Sequence, residues 1–228
     1  MQLNTRPEPV DVTLERAALV VVDMQNAFAS RGGLLDIAGH DVSGAAGVVE
    51  RLARLTAAAR ACGMPVVYLQ SGYKADLSNG GGAGSPNPRK ETALRLMCAR
   101  PELAGTLLVE GTWDFAIVEA LAPQPGDLVV LKTRYSGFAG TQLDGQLRAR
   151  DLKYLFFTGI AANVCVESTL RDAYFHEYWP VLVSDGTMQA GPPAQQQATL
   201  YNVESFFGWT LTAAGLLDAL ETSAAAGA

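Results

Sequence analysis

The stretch that decides the fold is Tyr154-Leu-Phe-Phe-Thr-Gly159-Ile-Ala-Ala-Asn163-Val-Cys165-Val-Glu-Ser-Thr-Leu-Arg-Asp. Its apolar start, residues 154–157, is typical of a buried strand, and Gly159 indicates a turn. A helix is predicted over residues 164–178, with Asn163 as its N-cap. A thiol on the first turn of a helix faces free N–H groups and the positive end of the helix dipole, and both favour the thiolate. We therefore expect Cys165 to be a nucleophile.

Strand and helix patterns alternate outward from this stretch. Further strands are predicted at 17–22, 65–69, 127–131 and 181–184, and further helices at 42–62 and 144–150. Such alternation is typical of right-handed crossovers and a mostly parallel sheet with helices on both faces. We expect one α/β domain over residues 1–228, with a doubly wound sheet, a core of about 15–210 and a disordered tail at 224–228.

Residues 71–89 are rich in glycine and proline and directly follow a predicted strand. A long glycine-rich loop in a compact domain is typical of a functional lid or of disorder. This loop leaves the sheet at the strand ends, where open α/β sheets place their ligands. We therefore favour a lid over the substrate.

The composition limits the possible partners. The 228 residues carry a formal charge of −6, which argues against nucleic acid. No apolar run is long enough to cross a bilayer, so no membrane partner is expected. The three cysteines are widely spaced, which favours a reducing cytoplasm over a disulfide framework. Only two histidines are present, and this scarcity argues against a mechanism that needs a histidine base or a histidine-rich metal site.

Three chemically complementary residues lie at predicted strand ends. Asp23 follows the first strand, Lys132 the third, and Cys165 the fourth. The carboxyl ends of parallel strands share one edge of the sheet, so these side chains should converge. A thiolate can attack a carbonyl while a carboxylate moves the proton and an ammonium holds the charge. The amides of Cys165 and of Ala161 or its neighbour are the expected oxyanion donors.

These motifs resemble the isochorismatase-like cysteine hydrolases. The resemblance rests on Val-Val-Asp23-Met-Gln-Asn-x-Phe, Lys132-x-x-Tyr-Ser-Gly-Phe and Gly159-Ile-Ala-x-Asn-Val-Cys-Val-x-Ser-Thr-x-Arg-Asp. It implies an α/β/α fold, an Asp23-Lys132-Cys165 triad and an oxyanion hole of the Ala161 and Cys165 amides. It also implies a cis Ile160–Ala161 peptide bond and an oligomer.

Flanking blocks are similar to those of the ureidoacrylate amidohydrolase branch, which acts in pyrimidine degradation. The likeness spans roughly residues 15–210 and implies cleavage of a carbamoyl C–N bond through a carbamoyl thioester on the cysteine. The chain departs from this branch at Ser71, Tyr73 and Ala162, where the pattern has Asn, Trp and Thr. The candidate substrate-binding residues, chosen for their loops and hydrogen-bonding groups or as a pocket wall, are Asn26, Phe28, Ser71, Tyr73, Arg134 and Tyr135.

Several alternatives stay open or are disfavoured. The region after the second strand lacks the paired histidines of the metal-bearing branch, so no metal or other cofactor is expected. A serine hydrolase is disfavoured because no Gly-x-Ser-x-Gly elbow is present. Cysteine at the nucleophile position argues for C–N cleavage rather than vinyl-ether hydrolysis. The closest rival is another carbamoyl hydrolase, acting on biuret or an N-carbamoyl amino acid. A non-catalytic binding module is a further alternative, disfavoured by the intact triad.

Overall fold

The computed structural model describes the backbone of residues 1–226 and the side chains of residues 1–223. Strands and helices alternate through this range. The strands are β1 (Gln2–Leu3), β2 (Val10–Asp11), β3 (Ala17–Val22), β4 (Val66–Ser71), β5 (Leu128–Lys132), β6 (Tyr154–Ile160), β7 (Trp179–Met188) and β8 (Trp209–Leu211). The α-helices are α1 (Asn26–Ala29), α2 (Leu34–Ile37), α3 (Ala45–Ala61), α4 (Asn87–Lys90), α5 (Thr92–Ala99), α6 (Leu143–Arg148), α7 (Glu167–Phe175), α8 (Ala194–Asn202) and α9 (Ala213–Ala226).

Strands β3 to β8 form one parallel sheet in the order β5-β4-β3-β6-β7-β8. Later strands are added on both sides of β3, which is the arrangement of a doubly wound sheet. β1 and β2 form a separate antiparallel pair. The predicted α/β fold with a mostly parallel sheet is confirmed.

Alternate side chains of the central strands enter two separate cores. Leu19 and Val21 of β3 belong to the core that also contains Leu52 of α3 and Leu216 of α9. The other face of the sheet contributes to a second core that includes Leu170 of α7. Successive strand side chains point to opposite faces, so a sheet covered on both sides needs apolar residues at every position. The unbroken run Ala17–Val22 meets this need and is wholly buried.

The predicted boundaries are correct for β3 and differ elsewhere. β4 continues to Ser71, β6 to Ile160 and β7 to Met188, all beyond the apolar runs that predicted them. Helix α3 begins at Ala45 rather than residue 42. The helix predicted over 164–178 is a π-helical turn, Ala162–Val166, followed by α7.

Gly159 lets the end of β6 approach the end of β3. It has a φ of +112°, and a Cβ built there would lie 2.0 Å from the carbonyl oxygen of Val22. A side chain at this position would push the two strands apart, so only glycine fits. This close approach places the turn that carries Cys165 next to Asp23.

The segment 71–89 contains fixed local structure. Tyr73 pairs with Val109 in an isolated bridge, and helix α4 begins near the end of the segment, at Asn87. The Asn87 amide donates to the Gly80 carbonyl at 2.9 Å and closes the glycine-rich part into a loop. Opening and closing of this segment as a lid stays a prediction. At the C-terminus α9 continues to Ala226, within the tail predicted to be disordered, and residues 227–228 lie outside the described residues.

Candidate active site

The three predicted strand-end residues meet at the carboxyl edge of the sheet. Lys132 Nζ lies 2.7 Å from Asp23 Oδ2, and both side chains are fully buried. The Cys165 thiol is buried and close enough to both groups for them to act on its pKa. The topology explains the convergence, because β3 and β6 are neighbours and β5 is two strands away across β4. The acid, the amine and the thiol thus lie together at one edge of the sheet, and their catalytic roles stay a prediction.

Ser71 lies on the strand between β3 and β5 and contacts both Lys132 and Asp23. Lys132 Nζ donates to Ser71 Oγ at 2.6 Å, and this hydroxyl in turn donates to Asp23 Oδ2 at 3.3 Å. The Ser71 amide donates to Asp23 Oδ1 at 3.1 Å. Ser71 was predicted to bind substrate, but its hydroxyl is engaged in fixing the lysine and the aspartate. Its position at the end of β4, between β3 and β5, accounts for this role.

Gln25 is a site residue to which the sequence analysis assigned no role. Its side-chain amide donates to the Ser71 carbonyl at 2.8 Å and to the Phe115 carbonyl at 2.7 Å. Its side-chain oxygen accepts from the Ser71 amide at 2.9 Å. Gln25 is completely buried, so these bonds hold the end of β4 rigidly against Asp23. The sequence feature that could have indicated this role is a glutamine two residues after a strand-end aspartate.

The charges of this buried group depend on one another. Burial lowers the pKa of Lys132, but the neighbouring Asp23 and Cys165 outweigh it and leave that pKa raised, so the lysine is an ammonium. Burial raises the pKa of the Cys165 thiol well above its usual range; Lys132 opposes the shift and Asp23 adds to it. Burial therefore opposes the thiolate that the helix start was expected to favour.

The turn that presents Cys165 is anchored at both ends. The Val166 amide reaches back to the Ala161 carbonyl at 3.2 Å, the wide spacing of a π-helical turn. The Asn163 side chain donates to the Ala190 carbonyl at 3.1 Å and accepts from the Ala190 amide at 2.9 Å. Asn163 is therefore not the N-cap predicted for it, a position taken by Ala161. The Ile160–Ala161 peptide bond is cis, as the family resemblance implies.

A cavity of about 190 Å³ opens above the thiol. Of the six candidate substrate-binding residues, five line it. The exception is Asn26, whose amide instead donates to the Trp113 carbonyl at 2.9 Å and accepts from the Ser30 hydroxyl. These bonds use the side chain to fasten α1, which is why Asn26 does not reach the cavity. The complete lining is Phe28, Leu34, Leu35, His40, Ser71, Tyr73, Glu91, Thr92, Leu108, Thr133, Arg134, Tyr135, Ala161, Val164, Cys165 and Ala190.

The cavity wall combines apolar surface with a few polar groups. Burial raises the pKa of Tyr135 to about 12, and burial raises that of Tyr73 further still, so both phenols are hydrogen-bond donors at neutral pH. Arg134 brings a positive charge, and one of its guanidinium nitrogens donates to the Thr133 carbonyl. Such a wall suits a small anion with a polar head. Among the described side chains, no group of three or more His, Cys, Asp or Glu is arranged to hold a metal ion. Over the same residues, no helix is long and apolar enough to cross a membrane.

Comparison with known proteins gives one consistent family. Residues 17–215 match the isochorismatase domain. The chain is 57% identical over 209 residues to the ureidoacrylate amidohydrolase RutB of Stutzerimonas stutzeri, covering 92% of this chain and 84% of that protein. It is 53% identical over 226 residues to the protein of the same name from Cronobacter turicensis, covering 99% and 97%. The crystal structure of a cysteine hydrolase from Pseudomonas syringae pv. phaseolicola superposes with a TM-score of 0.78 at 32% identity, covering 93% and 95%. The chain belongs to the isochorismatase family of hydrolases.

Proposed function

We propose that the chain hydrolyses the carbamoyl C–N bond of ureidoacrylate, using Asp23, Lys132 and Cys165 as its catalytic residues. The observation that carries the proposal is the buried Asp23–Lys132 pair, 2.7 Å apart, which acts on the pKa of the Cys165 thiol, beside a small cavity that Cys165 lines. The choice of ureidoacrylate as the substrate is supported by the similar proteins named ureidoacrylate amidohydrolase. Arg134 and the two tyrosines of the wall supply donors for the carboxylate of such a substrate.

The reaction begins from the neutral thiol. As Cys165 Sγ forms a bond to the carbamoyl carbon, the thiol proton passes to the Asp23 carboxylate. The carbonyl oxygen becomes an oxyanion that accepts hydrogen bonds from the Ala161 and Cys165 amides. Collapse breaks the C–N bond, and Asp23 returns the proton to the departing nitrogen. The products of this half-reaction are aminoacrylate and a carbamoyl thioester on Cys165.

Water completes the cycle. A water molecule attacks the thioester carbon while Asp23 takes one of its protons, and the C–S bond then breaks. Carbamic acid leaves, in equilibrium with carbamate and a proton released to water, and decays to ammonia and carbon dioxide, while the proton on Asp23 returns to the sulfur. Lys132 stays an ammonium throughout, so it stabilises Asp23 when that carboxylate is charged and holds it in place.

Another carbamoyl substrate is the second candidate, favoured by Ser71 and Tyr73, which differ from the Asn and Trp of the resemblance. The test is a competition of ureidoacrylate, biuret and N-carbamoyl amino acids, ranked by kcat/KM from ammonia release. We expect ureidoacrylate to rank first, with neutral biuret last because it cannot use Arg134. We also expect Cys165→Ser to lose all measurable turnover. A higher kcat/KM for another compound would make that compound the proposed substrate. Unchanged turnover of Cys165→Ser would refute the assignment of Cys165 as the nucleophile.

The partners and location are also proposed. Four large aromatic side chains near one another on the surface are each at least 46% exposed: Tyr174, Phe175, Tyr201 and Phe206. A homo-oligomer would cover these side chains, so their exposure supports one. The leucines of α9, Leu216, Leu217 and Leu220, are buried against the chain's own core and do not contribute to this exposed surface. The unpaired cysteines support a cytoplasmic enzyme. Light scattering of the purified protein tests the oligomer, and a monomer would refute it.

A further inference from the structure

Glu91 is a buried carboxylate in the cavity that the catalytic steps above do not use. It is 5% exposed and lines the same cavity as Cys165. The Ala93 amide and the Tyr73 hydroxyl act as hydrogen-bond donors to its carboxylate, and the Leu94 amide donates to Oε2 at 2.9 Å. That bond caps the N-terminus of α5. A carboxylate has room for about four hydrogen bonds, so Glu91 keeps acceptor capacity toward the cavity.

The surroundings of Glu91 place its charge among the groups that face the substrate. Burial raises the pKa of Glu91, while the Leu94 and Ala93 amides, the Tyr73 hydroxyl and the Lys132 charge all oppose the shift. The negative charge of Glu91 in turn contributes to the raised pKa of Tyr135. Glu91 thus stands close to both tyrosines of the wall and within electrostatic range of the catalytic lysine. An acceptor-only group in a cavity for an anion needs a positive or N–H-bearing partner, because otherwise it repels the ligand.

We propose that Glu91 accepts a hydrogen bond from the ureido N–H of the substrate and so selects ureido compounds over simple amides. A ureido group offers N–H donors on both sides of its carbonyl, whereas a primary amide of the same length has a methylene in place of the inner N–H. With Arg134 for the carboxylate and Glu91 for the inner nitrogen, the cavity has complementary charges at separate points of the ligand. This inference rests on the proposed hydrolysis of a ureido substrate.

A matched pair of ligands tests the inference by binding alone. N-carbamoyl-β-alanine and glutaramate, the monoamide of glutaric acid, have the same length, charge and terminal amide, and they differ only by NH against CH2. Their dissociation constants are measured by calorimetry in the Cys165→Ser protein, where no turnover consumes the ligand. We expect the ureido compound to bind about tenfold or more tightly, because a hydrogen bond to a charged group is lost in glutaramate.

Adding Glu91→Ser should remove this preference, whereas Glu91→Gln should reduce it, since its amide oxygen still accepts. Serine is also a good N-cap, so Glu91→Ser keeps α5 capped and thermal unfolding should change little. Glu102→Gln removes an exposed acidic charge nearby in the sequence and should leave the preference intact. An unchanged preference in Glu91→Ser, or tighter binding of both ligands, would overturn the inference and reduce Glu91 to a cap.

The same proteins separate this inference from the proposed function. Wild-type turnover of ureidoacrylate is measured alongside the binding. No turnover together with a ureido preference that needs Glu91 would refute the proposed reaction and keep the Glu91 contact. Turnover together with no Glu91-dependent preference would refute the inference alone.

Discussion

Replacement of Lys132 by methionine removes one member of a fully buried ion pair. The wild-type ammonium donates to Asp23 Oδ2 at 2.7 Å, to Ser71 Oγ at 2.6 Å and to the Arg134 carbonyl at 3.2 Å. Methionine has a similar length, so the core stays filled, but Asp23 is left as an uncompensated buried charge. Breaking a buried pair in this way costs about 3–5 kcal/mol. A domain of ordinary stability has about 5–15 kcal/mol in total, so the loss is readily measured.

Urea unfolding at neutral pH gives the free energies of unfolding for Lys132→Met, Asp23→Asn and the double variant. We expect each single change to destabilise the protein and the double variant to be more stable than the sum of the two losses predicts. Once both charges are gone, neither is left buried alone. The matched control is Arg16→Met, which breaks the Arg16–Asp151 pair; its separation of 2.6 Å is similar, but its side chains are 42% and 77% exposed. That change should cost about 0–1 kcal/mol.

The cycle has a clear refuting result. Losses at Asp23 and Lys132 that add to within about 0.5 kcal/mol would mean that the two groups do not interact in the folded protein. A Lys132→Met loss no larger than that of Arg16→Met would mean that the lysine is solvated. Either result would remove the basis for a charged pair beneath the cavity.

Three further predictions concern the thiol and its turn. Because burial raises the pKa of Cys165, the folded state favours the neutral thiol; its contribution to stability is present below the ordinary cysteine pKa of 9.0 and is lost as the pH rises above it. The unfolding free energy of the wild type should therefore fall more steeply above that pH than that of Cys165→Ser, and parallel curves would contradict the assignment. Gly159→Ala should prevent accumulation of folded protein, whereas Gly63→Ala, at a φ of +77° with open space for a Cβ, should cost only about 1–2 kcal/mol; equal yields would refute the close strand approach. Asn163→Ala should cost about 1–3 kcal/mol and lower kcat, because both bonds to Ala190 are lost; an unchanged kcat would show that the turn needs no anchor.

The sheet and the convergence of the triad could be predicted because both follow from simple patterns. The run Ala17–Val22 is apolar at every position, rich in valine and of strand length, which is typical of a strand covered on both faces. The parallel direction of the strands then brings Asp23 and Lys132 to one edge, whatever the intervening loops do. Strand β8 was missed, since its three residues, Trp209–Leu211, are too few to form a pattern.

The finer features of the site depend on contacts that a linear pattern does not contain. The π-helical turn at Cys165 arises from a shift of one residue in backbone hydrogen bonding, which leaves side-chain spacing almost unchanged. The raised thiol pKa comes from burial under the cavity, whereas the expectation considered only the helix terminus. Asn26 was a candidate because of its loop and its hydrogen-bonding group, but the Trp113 carbonyl that its amide binds comes from a segment distant in sequence. Ser71 could be assigned its role only once the order of strands around β4 was known.

The central claim is that Cys165 carries the carbamoyl group during turnover. The most direct measurement is mass spectrometry of the enzyme quenched by acid within milliseconds of mixing with ureidoacrylate, followed by peptide mapping. We expect a mass increase of one carbamoyl group on the peptide with Cys165, which appears before steady state and is absent from Cys165→Ser. The peptides with Cys62 and Cys98 should be unmodified in the same samples. Rapid turnover with no adduct at Cys165 at any time, or an adduct on another residue, would contradict the claim.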